Sequence, residues 1–480
     1  MTACARFFTL GCVLLLSLLG NSPAATPPPP LRLAEVLAGV TNQYPPLLAV
    51  LIERDVASGR LRSAQAPFDF GLFARIFSNP SGYYDSSTVD TGFEQFTGWW
   101  GSTVFGGYRL TRGGALPDYD KDRTQGAGEP RLGFRVPLLR DGAIDRRRAA
   151  VLKARLDQEL ADPFIQRQHL DFIRAASVGY YAWLAAGQRL RLAEDLLQLA
   201  NERGGALTNQ VNAGLIPRIT LKDNERLIVA RGLAAVQARR RFEAAAIALS
   251  LFHRDAVDAP VLAGRERLPV EFPPTPPPEV AGLEEDIRLA VATRPEPRRL
   301  QLAMDKLGVD LRLARNQMLP QLDAGVSISQ ELGRKLYKDK SEVDTQLGLE
   351  FRIPLQRSEA KGRLVEVNAQ LQQLLQEERF ARDRIAAEVR DAASALGAAH
   401  EQIQQARLNA SLALELQMAE AERLRRGATD LLALQLREQA AFDARVTEVE
   451  ALAEYFRAQA DYQAATAQAG RRPVSGQPAR

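Results

Sequence analysis

Two runs of alternating residues sit inside a chain that otherwise reads as helix, and they limit its fold more than any other feature. Leu322, Ala324, Val326 and Ile328 alternate with Asp323, Gly325, Ser327 and Ser329. Leu347, Leu349, Phe351 and Ile353 alternate with Gly348, Glu350 and Arg352. Period-two alternation marks a strand with one apolar face, and the polar stretch Gly333 to Asp344 separates the two runs. In a soluble sandwich the apolar face needs a second sheet, and this half of the chain offers no further strands. A transmembrane barrel removes the difficulty, because lipid covers the apolar face and water wets the other.

The first half carries the same signal. Phe68, Phe70, Leu72, Ala74 and Ile76 line one face of a strand, and Leu132, Phe134 and Val136 line another. Fourteen of the 32 aromatic residues fall between Phe68 and Phe134, about three times an even share. Such clustering fits the aromatic girdles at barrel–lipid interfaces; a β-rich subdomain with an aromatic core is the competing reading. A segment that leaves and re-enters helix on one side of a membrane crosses it an even number of times. The first half therefore holds two strands with a large loop, or four with turns near Trp100-Gly101 and across Gly113 to Gly128. So small a sheet leaves open edges, which lipid does not tolerate, so several chains must share one barrel.

The halves are duplicates. Phe134-Arg135-Val136-Pro137-Leu138-Leu139-Arg140 recurs, with five identities, as Phe351-Arg352-Ile353-Pro354-Leu355-Gln356-Arg357 at an offset of 217. Gly214, Leu221 and Glu225 recur as Gly427, Leu434 and Glu438 at an offset of 213. Tyr44-Pro45-Pro46 resembles Arg294-Pro295-Glu296-Pro297, and Arg62-Ser63-Ala64 resembles Arg312-Leu313-Ala314, near an offset of 250. Three landmarks in one order indicate duplication. The changing offset places a longer insert in the first half, between its first two landmarks. Pro137 and Pro354 mark strand ends, where a missing amide donor is harmless.

The expected organisation is a signal segment over 1–24, a first repeat over 25–268, a Pro-rich linker over 269–278, a second repeat over 279–470 and a tail over 471–480. Strands fall within 66–138, 320–331 and 345–354, and long helices within 143–258 and 358–469. The helices follow from apolar residues near helical spacing, such as Leu152, Leu156, Leu160 and Phe164, among Arg, Asp, Glu and Gln. Sixty helical residues reach roughly 90 Å, and Pro163 is placed to kink the first long helix. Helices alone would make a plain coiled-coil rod; the strands between them argue against it.

Arg6, the apolar run Phe7 to Leu19 and the small residues Asn21 to Ala25 form a secretory signal with cleavage after Ala24. The run is too short to span a bilayer. Cys4 and Cys12, the two cysteines, lie within it, so no disulfide is expected. Cys12 lacks the preceding pattern of a lipid-attachment site. A net charge of +4 gives no reason to expect nucleic acid. His169, His253 and His400 are scattered, and there is no metal-ligand spacing, phosphate loop or nucleophile elbow. No catalytic residue, metal or cofactor is expected.

The strand-end motifs, the duplicated helical plan and two glycine turns together resemble the TolC family of outer-membrane efflux proteins, over essentially the whole chain. The turns are Val211-Asn212-Ala213-Gly214-Leu215-Ile216 and Arg425-Arg426-Gly427-Ala428-Thr429-Asp430. The resemblance implies a mainly α fold with β: long antiparallel periplasmic helices forming an α-barrel, plus strands contributing to a shared trimeric transmembrane β-barrel of twelve strands, four per chain. It implies an exit duct in the outer membrane of a Gram-negative bacterium, assembled as a homotrimer. Its partners would be a periplasmic adaptor and an inner-membrane transporter of the proton-driven (RND) or ATP-driven (ABC) type, in a tripartite efflux or type I secretion system. Gly214, Leu215, Gly427 and Ala428 would then form the periplasmic tips that meet the adaptor. Arg218, Thr220, Arg425, Arg426 and Asp430 would border the aperture, although Leu221, Ala433 and Leu436 stand where the family often places carboxylates or their partners. A periplasmic coiled-coil scaffold without a pore is the alternative.

Overall fold

The computed structural model describes residues 29–81, 85–113, 123–278, 282–336 and 343–468. The expected signal segment with its cleavage point after Ala24, and the tail 471–480, lie outside them. Each half runs through the same order of elements. Helices α1 (Leu33–Gln43), α2 (Pro45–Leu51) and α3 (Glu53–Gln65) lead into strands β1 (Gly71–Asn79), β2 (Ser86–Phe96), β3 (Thr103–Gly113) and β4 (Glu129–Pro137). The long α4 (Arg146–Asn212) and α5 (Arg218–Ser250) follow. In the second half α6 (Leu283–Thr293) and α7 (Pro295–Gln317) lead into β5 (Gln321–Gln330) and β6 (Val343–Arg352), then α8 (Ser358–Arg425) and α9 (Leu431–Ala465).

Four helices lie side by side at every level. Toward the sheet the order is α3–α4–α7–α8, and toward the opposite end it is α5–α4–α9–α8. The 67 residues of α4 reach about 100 Å at 1.5 Å per residue, so the far turns stand that distance from the strands. α4 continues as helix through Pro163. It begins on a strong cap: the Asp145 carboxylate accepts from the amides of Arg147 at 2.7 Å and Arg148 at 2.9 Å, satisfying donors that a helix start leaves open.

Small residues along the contact faces, Ala176, Ala399, Ala406, Ala441 and Ala451 among them, are buried and let the helices approach closely. Midway along the bundle the packing turns aromatic. Tyr181 stacks on Phe456 with centroids 4.2 Å apart, and Phe272 on the same ring at 5.9 Å. The Pro-rich linker crosses here. Gln188 donates to the carbonyl oxygens of Pro269 and Val270, and the Tyr455 hydroxyl donates to that of Pro276 at 2.7 Å.

The six strands form one antiparallel sheet in chain order, β1-β2-β3-β4-β5-β6. The first half thus holds four strands, the larger count open to the sequence, with a turn at Trp100-Gly101 where both residues take positive φ. The expected four strands per chain become six. The reason is physical: β2 and β3 hydrogen-bond to each other and to β1 and β4 on their outer sides, so this hairpin is part of the sheet. The duplication explains its origin, since β5 and β6 alone join α7 to α8, where four strands join α3 to α4.

Directly opposed residues share a face, which sorts the sheet. One face carries Leu72, Phe93, Leu132, Phe134, Val326, Leu347 and Leu349; Leu72 and Leu347 are 79% and 80% exposed. The other face carries the charges. Asp90 opposes Arg75 on one side and Arg109 on the other, and accepts from Arg131 at 2.7 Å. Phe73 and Phe105 also point to this face, where Arg75 lies 4.6 Å from the Phe73 ring centroid.

An ion-pair network holds α6–α7 to α4 and α8. Arg294, almost fully buried, donates to Glu296 at 2.6 Å and to Glu388 at 2.5 Å, and Arg167 reaches Glu296 at 2.5 Å. Burial works to raise the Glu296 carboxyl, but the hydrogen bond and charge of Arg294, aided by Arg167, hold it below its ordinary value. A carboxylate depressed in the fold adds stability above its ordinary value of 4.5, and that stability is lost as pH falls through the lower native value. Glu296→Gln should therefore cost about 2 kcal/mol at pH 7. In thermal unfolding the gap to the unsubstituted protein should close as the pH is lowered below that window.

Candidate functional site: the helical tips

The end of the bundle remote from the sheet is built from two turns of one design. Gly214 and Gly427 take φ of +70° and +69°, a region that side chains disfavour by about 1–2 kcal/mol. The Leu215 amide donates to the Gln210 carbonyl at 2.9 Å and the Gly214 amide to that of Val211 at 3.0 Å. In the second turn the Ala428 amide donates to Arg423 at 2.9 Å and the Gly427 amide to Leu424 at 3.0 Å. Both are Schellman closures, in which the residue after the cap must be left-handed to return the chain to the last free carbonyls. The next helices start at once, α5 after Pro217 and α9 on Asp430, whose carboxylate accepts from the Ala433 amide at 2.8 Å.

The two turns lie side by side. Ile219, Thr220 and Asp223 of α5 face Asp430, Leu431 and Leu432 of α9 across a groove of about 600 Å³. Leu215, Ile219, Leu432 and Leu436 are exposed at this end, while Lys222, Asp223, Arg226 and Asp430 add charge to the groove lining. Nothing lies within 4 Å of where a side chain on Gly214 or Gly427 would project. These glycines thus answer to backbone conformation and not to crowding.

The residues expected to border an aperture have local roles in the single chain. Arg425 and Arg426 both pair with Glu422 of their own helix, at 2.7 and 2.8 Å. Asp430 caps α9, Arg218 opens α5, and the Thr220 amide donates to the Pro217 carbonyl. Pro137 closes β4 opposite Asp323, and Pro354 follows β6 by two residues. Both therefore stand at the sheet's helix-side end, far from the tips.

A deeper group was missed. Glu438 of α9 is 2% exposed and takes two guanidiniums, Arg203 of α4, at 3.1 Å to its outer nitrogen, and Arg231 of α5 at 2.9 Å. Arg231 also donates to the Leu196 carbonyl. This cluster ties the α4–α5 hairpin to α9 about two turns above the tips. Its signal was present in the sequence: Glu438 interrupts the buried stripe of Leu434, Ala441 and Ala444, a position where a solvated charge does not belong.

The fold is similar to that of solved outer-membrane channels. It is shared with the open-state MtrE outer-membrane channel of Neisseria gonorrhoeae (TM-score 0.64, 16% identity, covering 91% of this chain and 88% of that one). It is also shared with the CmeC outer-membrane channel of Campylobacter jejuni (0.63, 13%, 90% and 85%) and the outer-membrane protein VceC of Vibrio cholerae (0.62, 15%, 90% and 95%). No protein-family model and no curated protein matches the sequence.

Removing Glu438 strands two buried cations. Glu438→Ala should lower stability by about 3–5 kcal/mol, the usual penalty for breaking a buried pair from one side. Chemical denaturation of the detergent-purified protein measures it; a loss below about 1 kcal/mol would remove the cluster from any role in fixing α9.

Proposed function

We propose that this chain is the outer-membrane exit duct of a tripartite efflux or type I secretion system, passively conducting solutes delivered by a pump in the inner membrane. The observation that carries this reading is the sheet: one face largely apolar and open, the other charged, on top of helices about 100 Å long. No layer among the described residues covers the apolar face, and lipid is the solvent that such a face fits. No helix among the described residues is long and apolar enough to cross a membrane. The fold shared with outer-membrane channels supports the same placement.

In this reading the protein sits in the outer membrane of a Gram-negative bacterium with its helices in the periplasm. Three copies close the duct, and the driving energy comes from the RND-type or ABC-type transporter. The tips carrying Gly214, Leu215, Gly427 and Ala428 meet the periplasmic adaptor, with Arg218, Thr220, Arg425, Arg426 and Asp430 around the aperture. The groove between the turns, lined by Ile219, Leu431 and Leu432 among Lys222, Asp223, Arg226 and Asp430, gives the adaptor a mixed apolar and charged surface, and the left-handed glycines fix its shape. In this reading the chain conducts and does no chemistry of its own.

The reading is tested by fractionation and by loss of export. The protein should sediment with outer membranes and need detergent for release; a form released by salt alone would favour the pore-free scaffold. Deleting the gene should raise susceptibility to a toxic compound or block a secreted product. Gly214→Val combined with Gly427→Val should reproduce that phenotype at normal protein level in the outer membrane, because each disturbs a tip by only about 1–2 kcal/mol. Full export by the double variant would remove the tips from the contact.

A further inference from the structure

The sheet and the helices of one chain end on the same two flanks. β1 arises from α3, which is the outermost helix on one side, and β6 runs into α8, the outermost on the other. Between them, α4 takes up β4 and β5 leaves α7. A ring of copies must therefore close its strands and its helices with one and the same rotation. The arc that each chain contributes to both layers has to agree.

Six strands at a spacing of about 4.8 Å and a tilt of about 40° cover an arc of roughly 38 Å. Four helices with axes about 9 Å apart cover roughly 36 Å. Four strands would cover only about 25 Å. Both flanks are open in the single chain. The outer edges of β1 and β6 have no strand partner among the described residues. Beneath them, Val229, Leu233 and Val236 form an exposed stripe on α5, and Leu408, Leu412 and Leu416 form one on α8. With an even number of strands, β6 of one copy runs antiparallel to β1 of the next, so the ladder continues without a break.

We infer that β6 pairs with β1 of a second copy of this chain, and that three copies close an eighteen-stranded barrel in which the β2–β3 hairpin is wall. The number three rests on the reading proposed above; the pairing of β6 with β1 rests on the sheet itself. Barrel diameter grows about linearly with strand number, so this lumen is about half again as wide as one of twelve strands.

Disulfide and bismaleimide cross-linking decides the point, in full-length protein with Cys4→Ser and Cys12→Ser. Leu72→Cys, Ala74→Cys and Ile76→Cys on β1 are each combined with Leu347→Cys, Leu349→Cys or Phe351→Cys on β6. All six sites lie on the apolar face, and single-cysteine proteins report on folding. At least one register should give a covalent ladder that ends at three chains. A ladder obtained instead between β6 and Val104→Cys or Tyr108→Cys on β3 would mean that β1 and β2 leave the wall, and would overturn the inference while keeping the channel. A ladder ending at two chains, or no ladder in a detergent-requiring channel, would overturn it as well. Protein released without detergent would sink the duct reading and this inference together.

Discussion

The two open edges of the sheet govern everything else. Outside water, an unpaired backbone amide or carbonyl costs several kcal/mol, and β1 and β6 each present a row of them. In the proposed duct, these edges would leave a single chain without a stable form in a bilayer. It needs neighbours, and the need sets the geometry of the helices below, which end on the same flanks with apolar stripes of their own. Assembly is in this sense encoded by backbone hydrogen bonding, while side chains choose the register.

The helical part meets a different constraint, that of holding a long, thin wall in shape. Alanine-rich contact faces bring helices together along their length, and the aromatic girdle around Tyr181, Phe272 and Phe456 gives one level of dense packing. The Pro-rich linker is drawn into that level by hydrogen bonds from Gln188 and Tyr455. The connector between the repeats thereby becomes a strap. Away from it, isolated charge clusters such as Arg294–Glu296–Glu388 and Arg203–Glu438–Arg231 fix the relative height of neighbouring helices, which uniform alanine faces leave free to slide.

Much of this was legible in the sequence, for identifiable reasons. Period-two alternation located β5 and β6 to within about two residues, because one face had to be apolar throughout. The glycine turns were legible because a left-handed residue after a helix leaves few choices. The β2–β3 hairpin was not: Thr91 and Gly106 stand on the apolar face and dilute the alternation of β2 and β3, and only Trp100-Gly101 hinted at the turn. Family resemblance pulled the same way, toward four strands per chain instead of six. The buried Glu438 escaped because its repeat partner Glu225 is exposed, so the matching of halves lent it no special meaning. Arg425 and Arg426 read as gate charges, yet within one chain Glu422 already holds both.

An exit duct requires a continuous water path through lipid. Purified protein added to a planar bilayer should give discrete current steps of uniform size, abolished when the protein is unfolded beforehand. Folded protein, verified by its helical content, that enters lipid and carries no current under any voltage would contradict it.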